Sequence, residues 1–214
     1  MSRRTRITVK VLVWLACLTP LVLLLYRVWT DDLGANPIST ITNTLGDWTL
    51  RLLLAALALT PLRLLFGIAW QMTLRRLLGL FAFAYAVLHF SVWVLVDHFF
   101  NWGQMLEDIV KRPYITVGML TLTTLTPLAA TSTAGAVKRL GARRWRRLHR
   151  LAYVAGVLAI VHFLWLAKVG RRDVYVYAAV LALLLGIRAW DAGRRALVRR
   201  RAPEKVAPAA VSRP

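Results

Sequence analysis

Hydrophobic and polar positions are not mixed along this chain; they fall in long blocks. Six apolar blocks of roughly 20 residues stand out, near 8–29, 48–69, 77–98, 114–133, 149–169 and 174–192, each about the length of a helix that crosses a bilayer. In lipid a segment must satisfy its own backbone hydrogen bonds, which leaves α-helices or a closed barrel. The blocks are continuously apolar and rich in Leu and Ala rather than alternating, so the pattern predicts helices. Short connectors join them. The expected fold is therefore an all-α integral membrane protein, a six-transmembrane-helix bundle forming one domain over 8–192. A cytoplasmic N-terminus, 1–7, precedes it and a basic tail, 193–214, follows. The tail ends in the Pro/Ala-rich "APEKVAPAAVSRP" and is expected to be disordered. Pro20, Pro61 and Pro127 fall inside the predicted spans, where they can kink the helices and shape a cavity.

Composition agrees: 58% of the 214 residues are hydrophobic, above the half or so usual in soluble domains. A net charge of +20 would suit nucleic acid, but its distribution argues against that. Arg3, Arg4, Arg6 and Lys10 precede the first block; Arg75 and Arg76 lie between the second and third. Lys138, Arg139, Arg143, Arg144, Arg146 and Arg147 lie between the fourth and fifth, and Arg188, Arg194, Arg195 and Arg199 to Arg201 belong to the tail. The first connector instead carries Asp31, Asp32 and Asp47, with only Arg27 near the helix end, and in the third Asp97, Glu107 and Asp108 oppose Lys111 and Arg112. Basic residues on alternate connectors place both termini in the cytoplasm by the positive-inside rule. The fifth connector, with Lys168, Arg171 and Arg172, is the exception. The basic start "SRRTR" has the flavour of a signal peptide, but the apolar run is longer than an h-region and no small-x-small cleavage site follows, so a retained first helix is expected. The single Cys17 forms no internal disulfide.

One polar residue is out of place in "FAFAYAVLHFSVWVLV": His89 sits inside the third block. His162 sits likewise inside the fifth. Counting from Leu77 and from Leu148, the two lie ~18 Å and ~21 Å along helices that run in the same direction. A polar ring in hydrocarbon is expensive and commonly functional. Two imidazoles at one depth on two helices are what the axial ligation of a flat porphyrin requires. Phe83, Tyr85 and Trp93 near His89, and Phe163 and Trp165 near His162, supply apolar walls. The competing reading makes each His a polar link between helices or part of a proton path in a non-redox transporter. His149, inside "ARRWRRLHRLAYV", reads either as an interfacial His beside an anion-binding basic patch, or as a ligand to a second, inner haem or a contact to another cofactor. Its 13-residue separation from His162 corresponds to ~20 Å and about 220° of rotation, so an ideal helix does not put the two rings on one face. His98, in "DHFFNW", reads as interfacial. Arg51, by depth near the outer site, and Arg75 and Arg76, near the inner one, either snorkel to headgroups or clamp a haem propionate or a flavin phosphate. The chain shows no P-loop, no GxGxxG, no zinc spacing and no Ser/His/Asp set, so it lacks a nicotinamide-binding domain of its own.

The segments "LGANPI", "TPLRLL", "RRLLGL", "LHFSVW", "RPYITVG", "LGARRWRRLHRLAYV" and "HFLW" resemble, in order, the MsrQ (YedZ) family. More distantly the chain is similar to ferric reductase-like transmembrane domains, which hold haems between paired His. The resemblance implies a haem b subunit (one or two haems) in the bacterial inner membrane, passing electrons from the quinone pool or a cytoplasmic flavin reductase. The acceptor it implies is a periplasmic molybdopterin protein, MsrP-like, that reduces methionine sulfoxide in oxidised proteins. The chain itself would be the electron-transfer subunit of that oxidoreductase system. His89 and His162 match the family's outer haem ligands, and His149 its third functional histidine. FMN is implied by the resemblance alone. A stand-alone ferric or quinone reductase is the alternative within the redox class.

Overall fold

The computed structural model of the chain describes residues 2–166 and 172–201. Each of the six apolar blocks contains a helix: α1 (Arg3–Trp29), α2 (Pro37–Phe66), α3 (Arg75–Val92), α5 (Pro113–Ala130), α7 (Leu151–Leu166) and α8 (Asp173–Arg201). Two further helices, α4 (Trp102–Lys111) and α6 (Ala134–Leu148), occupy connectors. A 3-10 turn, Trp70–Leu74, leads into α3, and a π-helical turn, Trp93–Asp97, leads out of it.

Length separates these helices. Four spans are long and apolar enough to cross a membrane: Arg3–Trp29, Pro37–Phe66, Trp70–Asp97 and Asp173–Val198. α5 and α6 together make a fifth candidate, but the pair is bent by 107°. Over the described residues α7 has 16, about 24 Å against a hydrocarbon core of about 30 Å. The architecture is thus an all-helical membrane bundle with four or five candidate spans among the described residues.

Local chemistry sets the boundaries. α2 starts eleven residues before the apolar block, because its first turns are polar and hydropathy misses them. Asn36 caps it by accepting from the Ser39 N–H at 3.1 Å, and Pro37 takes the first helical position, where a missing N–H costs nothing. Thr42 and Thr44 then return their hydroxyls to the Ile38 and Thr40 carbonyls at 2.8 and 2.7 Å, so polar side chains are satisfied within the helix. Gly67 ends α2 in the left-handed region at φ 68°, which glycine adopts without a Cβ penalty. α8 continues to Arg201, past the end expected at 192; Arg188, Arg194 and Arg195 are helical, not tail. Lys168, Arg171 and the segment 202–214 lie outside the described residues.

The helices pack as two close pairs, α2 on α3 and α5 on α7, with α3 also against α5 and α2 against α7. α1 leans on α2 and α3, and α8 on α2 and α7. The outer flanks of α1 and α8 expose Trp14, Leu15, Leu23, Leu183 and Trp190, as helices bathed in lipid do. Pro20 breaks the hydrogen-bond ladder of α1, and the break is mended from α3. The Tyr85 hydroxyl donates to the Cys17 carbonyl at 2.8 Å and accepts from the Leu21 N–H at 3.1 Å, so it is inserted between two groups that an unbroken helix would join directly. Its side chain is among the most completely buried in the chain. Tyr85 therefore ties α1 to α3 instead of lining a pocket.

Candidate functional site

His89 and His162 face each other across the bundle. Their ring centroids are 6.2 Å apart and their planes cross at 83°. Each ring is held in the same way. The Nδ1 of His89 lies 2.9 Å from the Thr42 carbonyl on α2, and the Nδ1 of His162 lies 2.6 Å from the Tyr114 carbonyl on α5. A carbonyl only accepts, so both Nδ1 atoms carry the proton and donate. In the neutral rings both Nε2 atoms are then unprotonated and able to accept a hydrogen bond or a metal.

Glycine makes these contacts reachable. One turn after Thr42 stands Gly46, where a Cβ would come within 3.1 Å of His89 Cε1 and 3.2 Å of Nδ1. One turn after Tyr114 stands Gly118, where a Cβ would come within 3.0 Å of both His162 Cε1 and Nδ1. The same device, a helix carbonyl followed four residues later by a glycine notch, seats a histidine in each helix pair. Sequence reasoning named neither glycine; the signal was a Gly inside each of two predicted helices, in "TLGDW" and "ITVGM", where glycine is otherwise costly.

A cavity of about 560 Å³ opens between the pairs and includes both histidines. Phe90, Trp93, Leu122 and Phe163 give it apolar walls, while Asn36, Asn43, Asp97, Arg112 and Tyr114 add polar groups. Among the described residues no three His, Cys, Asp or Glu side chains cluster to hold a bare metal ion. Two opposed imidazoles suit a metal that brings its remaining ligands with it. The spacing fits as well: two metal–nitrogen bonds of about 2 Å each, plus the half-widths of two imidazoles, come to roughly 6 Å. Donor identity, tautomer, spacing and a sizeable apolar cavity all fit an axially ligated porphyrin.

The other expected residues fall elsewhere. Trp93 and Phe163 line the cavity, whereas Trp165 is 58% exposed. Arg51 does not line it: Arg51 Nε donates to the Tyr177 hydroxyl at 2.8 Å, and its guanidinium sits 5.0 Å from the centroid of Trp48. Arg112 is the arginine on the cavity wall, paired through Nε with Asp108 at 3.2 Å. His98 is 9% exposed, less open than an interfacial position suggests. Its Nε2 meets Asp108 Oδ2 at 3.1 Å, and its ring lies 4.7 Å from that of Trp93. His98 and Asp108 thereby fasten α4 beneath the end of α3, beside the cavity.

His149 lies at the other end of the bundle and is not brought to the His89–His162 pair. It follows α6 directly, stacked on Trp145 with centroids 3.9 Å apart, and its Nε2 is 3.1 Å from the Thr131 hydroxyl. Trp145 Nε1 donates to the Thr131 carbonyl at 2.9 Å, so one residue anchors both rings. Partial burial, and then the charge of Arg75, hold the His149 pKa below the usual histidine value. Arg75 thus stands near His149, at the start of α3, while Arg76 is exposed.

Residues 45–160 match the family described as "Ferric reductase like transmembrane component". The chain is 50% identical over 185 residues to the protein-methionine-sulfoxide reductase heme-binding subunit MsrQ of Ralstonia nicotianae, covering 85% of each chain. It is 49% identical to the MsrQ of Rhodospirillum rubrum, covering 87% of this chain and 89% of that one. It is 46% identical to the MsrQ of Xanthomonas oryzae pv. oryzae, covering 94% and 96%. With that identity over most of its length, the chain belongs to the MsrQ family, within the ferric reductase-like membrane proteins.

Proposed function

We propose that this chain is a haem b electron-transfer subunit that carries electrons across the bacterial inner membrane to a periplasmic molybdopterin methionine sulfoxide reductase. The observation that carries the reading is the opposed pair His89 and His162, each with Nδ1–H given to a helix carbonyl and Nε2 left to coordinate. Haem bound there would supply a one-electron carrier. The protein's part is to fix both rings from behind, to keep water from the cavity with Phe90, Trp93, Leu122 and Phe163, and thereby to set the potential. Arg112, on the cavity wall, offers a guanidinium suited to a carboxylate.

In this reading α1, α2, α3, α5, α7 and α8 are six spans, and both termini are cytoplasmic. The histidine pair then lies toward the periplasm, where the electron leaves. α7 is counted as a span on its 16 described residues, Leu151–Leu166, and the apolar block that contains them. His149, Arg75 and Arg76 stand at the cytoplasmic end in this reading, where they would hold an inner haem or FMN that could supply an entry point for electrons from quinol or a flavin reductase. Arg51, bonded to Tyr177, acts on the cofactor only through packing.

The test is a reduced-minus-oxidised visible spectrum of detergent-purified protein, wild type beside His89→Ala and His162→Ala. A low-spin b-type signal that is lost or sharply cut in both variants supports the pair as ligands. A folded wild-type protein that takes up no haem overturns the reading.

A further inference from the structure

The end of the bundle away from His89 and His162 gathers hydrogen-bond donors without acceptors. Arg188 stands fifteen residues into α8, and its side chain turns inward. Its Nη2 donates to the Leu57 carbonyl on α2 at 2.5 Å, and its guanidinium rests 4.7 Å from the ring centroid of Tyr153 on α7. Its Nε and Nη1 are both buried and make no hydrogen bond among the described residues. Three residues along α2 from Leu57, the Thr60 hydroxyl is also buried and unbonded. Among the described residues no carboxylate acts on Arg188; Tyr153 favours its charge, in part through a side-chain hydrogen bond, and Arg75, with the same sign of charge, opposes it. Arg75 acts on His149 as well, so the two arginines and the histidine form one neighbourhood fed by α2, α3, α7 and α8.

A guanidinium withdrawn from water is stable only when its N–H groups are used and its charge is opposed. Here one donor nitrogen is used, two are not, and the neighbouring charge repels. Leu57 is among the most completely buried residues of the chain, so the guanidinium is seated in the bundle, not splayed toward headgroups. Acidic oxygens would satisfy both free nitrogens and relieve the repulsion from Arg75 at once. We infer that Arg188, with Arg75 and the Thr60 hydroxyl, forms a receptor for the carboxylate or phosphate group of a cofactor bound at this end of the bundle. The inference rests on the electron-relay reading and adds to it the residue that would hold a second cofactor. Two sources share the chemistry: the propionates of a haem and the phosphate of a flavin nucleotide.

The full-length chain in detergent tests it, as wild type, Arg188→Gln and Arg188→Lys. FMN and riboflavin, which differ by the phosphate, are titrated by flavin fluorescence. Haem per chain is measured after loading with haemin or with its dimethyl ester, which lacks free carboxylates. If the receptor takes phosphate, wild type binds FMN at least tenfold more tightly than riboflavin. Arg188→Gln abolishes that preference and Arg188→Lys keeps part of it. If it takes carboxylate, wild type loads a second equivalent of haemin but not of the ester, and Arg188→Gln loses that equivalent alone. Wild-type FMN preference and haem content in Arg188→Gln overturn the inference, as does a wild type with neither preference nor second haem. The spectrum of the haem assigned to His89 and His162 stays unchanged in Arg188→Gln and reports its fold. Should that variant not fold, Arg188→Lys is read instead: a partial loss of the preference or of the second equivalent supports the inference, and wild-type values overturn it. Absence of all haem from wild type would instead defeat the relay reading.

Discussion

Gly118→Ala probes the seating of His162 with a single methyl. The new Cβ would stand 3.0 Å from both Cε1 and Nδ1 of the ring, so the ring must retreat by some tenths of an ångström to regain ordinary contact. The retreat works directly against the hydrogen bond from Nδ1 to the Tyr114 carbonyl, now 2.6 Å. Two effects oppose each other. Alanine favours the helix by about 1 kcal/mol over glycine, while crowding a packed site costs about 1–3 kcal/mol, so global stability changes little or falls slightly. Coordination suffers more, because loss of the bond that orients a ligating His lowers metal affinity by roughly 10- to 100-fold. The control is Gly79→Ala on α3, where an added Cβ meets nothing within 4 Å. Haemin titration of the apoprotein, with thermal unfolding in parallel, measures both effects. Gly118→Ala is expected to bind haemin at least tenfold more weakly at near wild-type stability, and Gly79→Ala to bind as wild type. Equal affinities for the two variants would refute the notch argument.

Tyr85→Phe removes the hydroxyl that bridges Cys17 and Leu21 at the Pro20 break; leaving two backbone groups unpaired costs about 1–3 kcal/mol, seen as a lower Tm in detergent with haem affinity retained. Arg51→Gln, which breaks a contact to Tyr177 away from the cavity, leaves the midpoint potential within error. Arg112→Gln removes a positive charge from the cavity wall, which favours the oxidised, more positive iron and lowers the potential by roughly tens of millivolts; equal potentials in the two variants would contradict that placement. For His149 the folded pKa is depressed by burial and Arg75, so the unfolded chain binds the extra proton and stability falls as pH drops below the ordinary histidine pKa of about 6.5. His149→Gln therefore flattens the loss of Tm between about pH 7 and pH 5, and an unchanged slope would count against this origin.

The apolar blocks were legible because hydrocarbon demands them, and each holds a helix. The depth match of His89 and His162 was legible because a helix converts residue number into height, and the two rings do face each other. Hydropathy could not find what is polar or amphipathic. The Thr-rich first turns of α2, the connector helix α4 and the arginine-studded α6 satisfy their backbones as helices without being apolar. Gly141 lies inside α6 at φ 73° and ψ 148° and kinks it, a bend no periodicity in "LGARRW" signals. Depth alone also misplaced side chains. Arg51 and His89 were matched by height, yet height says nothing of azimuth, and Arg51 turns to Trp48 and Tyr177. Arg188 was counted with a tail because charge near a chain end reads as solvated, whereas its guanidinium bonds Leu57 inside the bundle. The glycine notches needed the partner helix in view: only opposite a histidine does a missing Cβ become a seat.

Electron passage through the His89–His162 site is the central claim, and proteoliposomes test it most directly. Haem-loaded protein is reconstituted around encapsulated ferricyanide, and dithionite is added outside. Wild type is predicted to bleach the trapped ferricyanide far faster than protein-free liposomes, and His89→Ala and His162→Ala to fall back to that background. Wild-type bleaching at the background rate, or undiminished bleaching in both variants, would contradict a relay built on this pair.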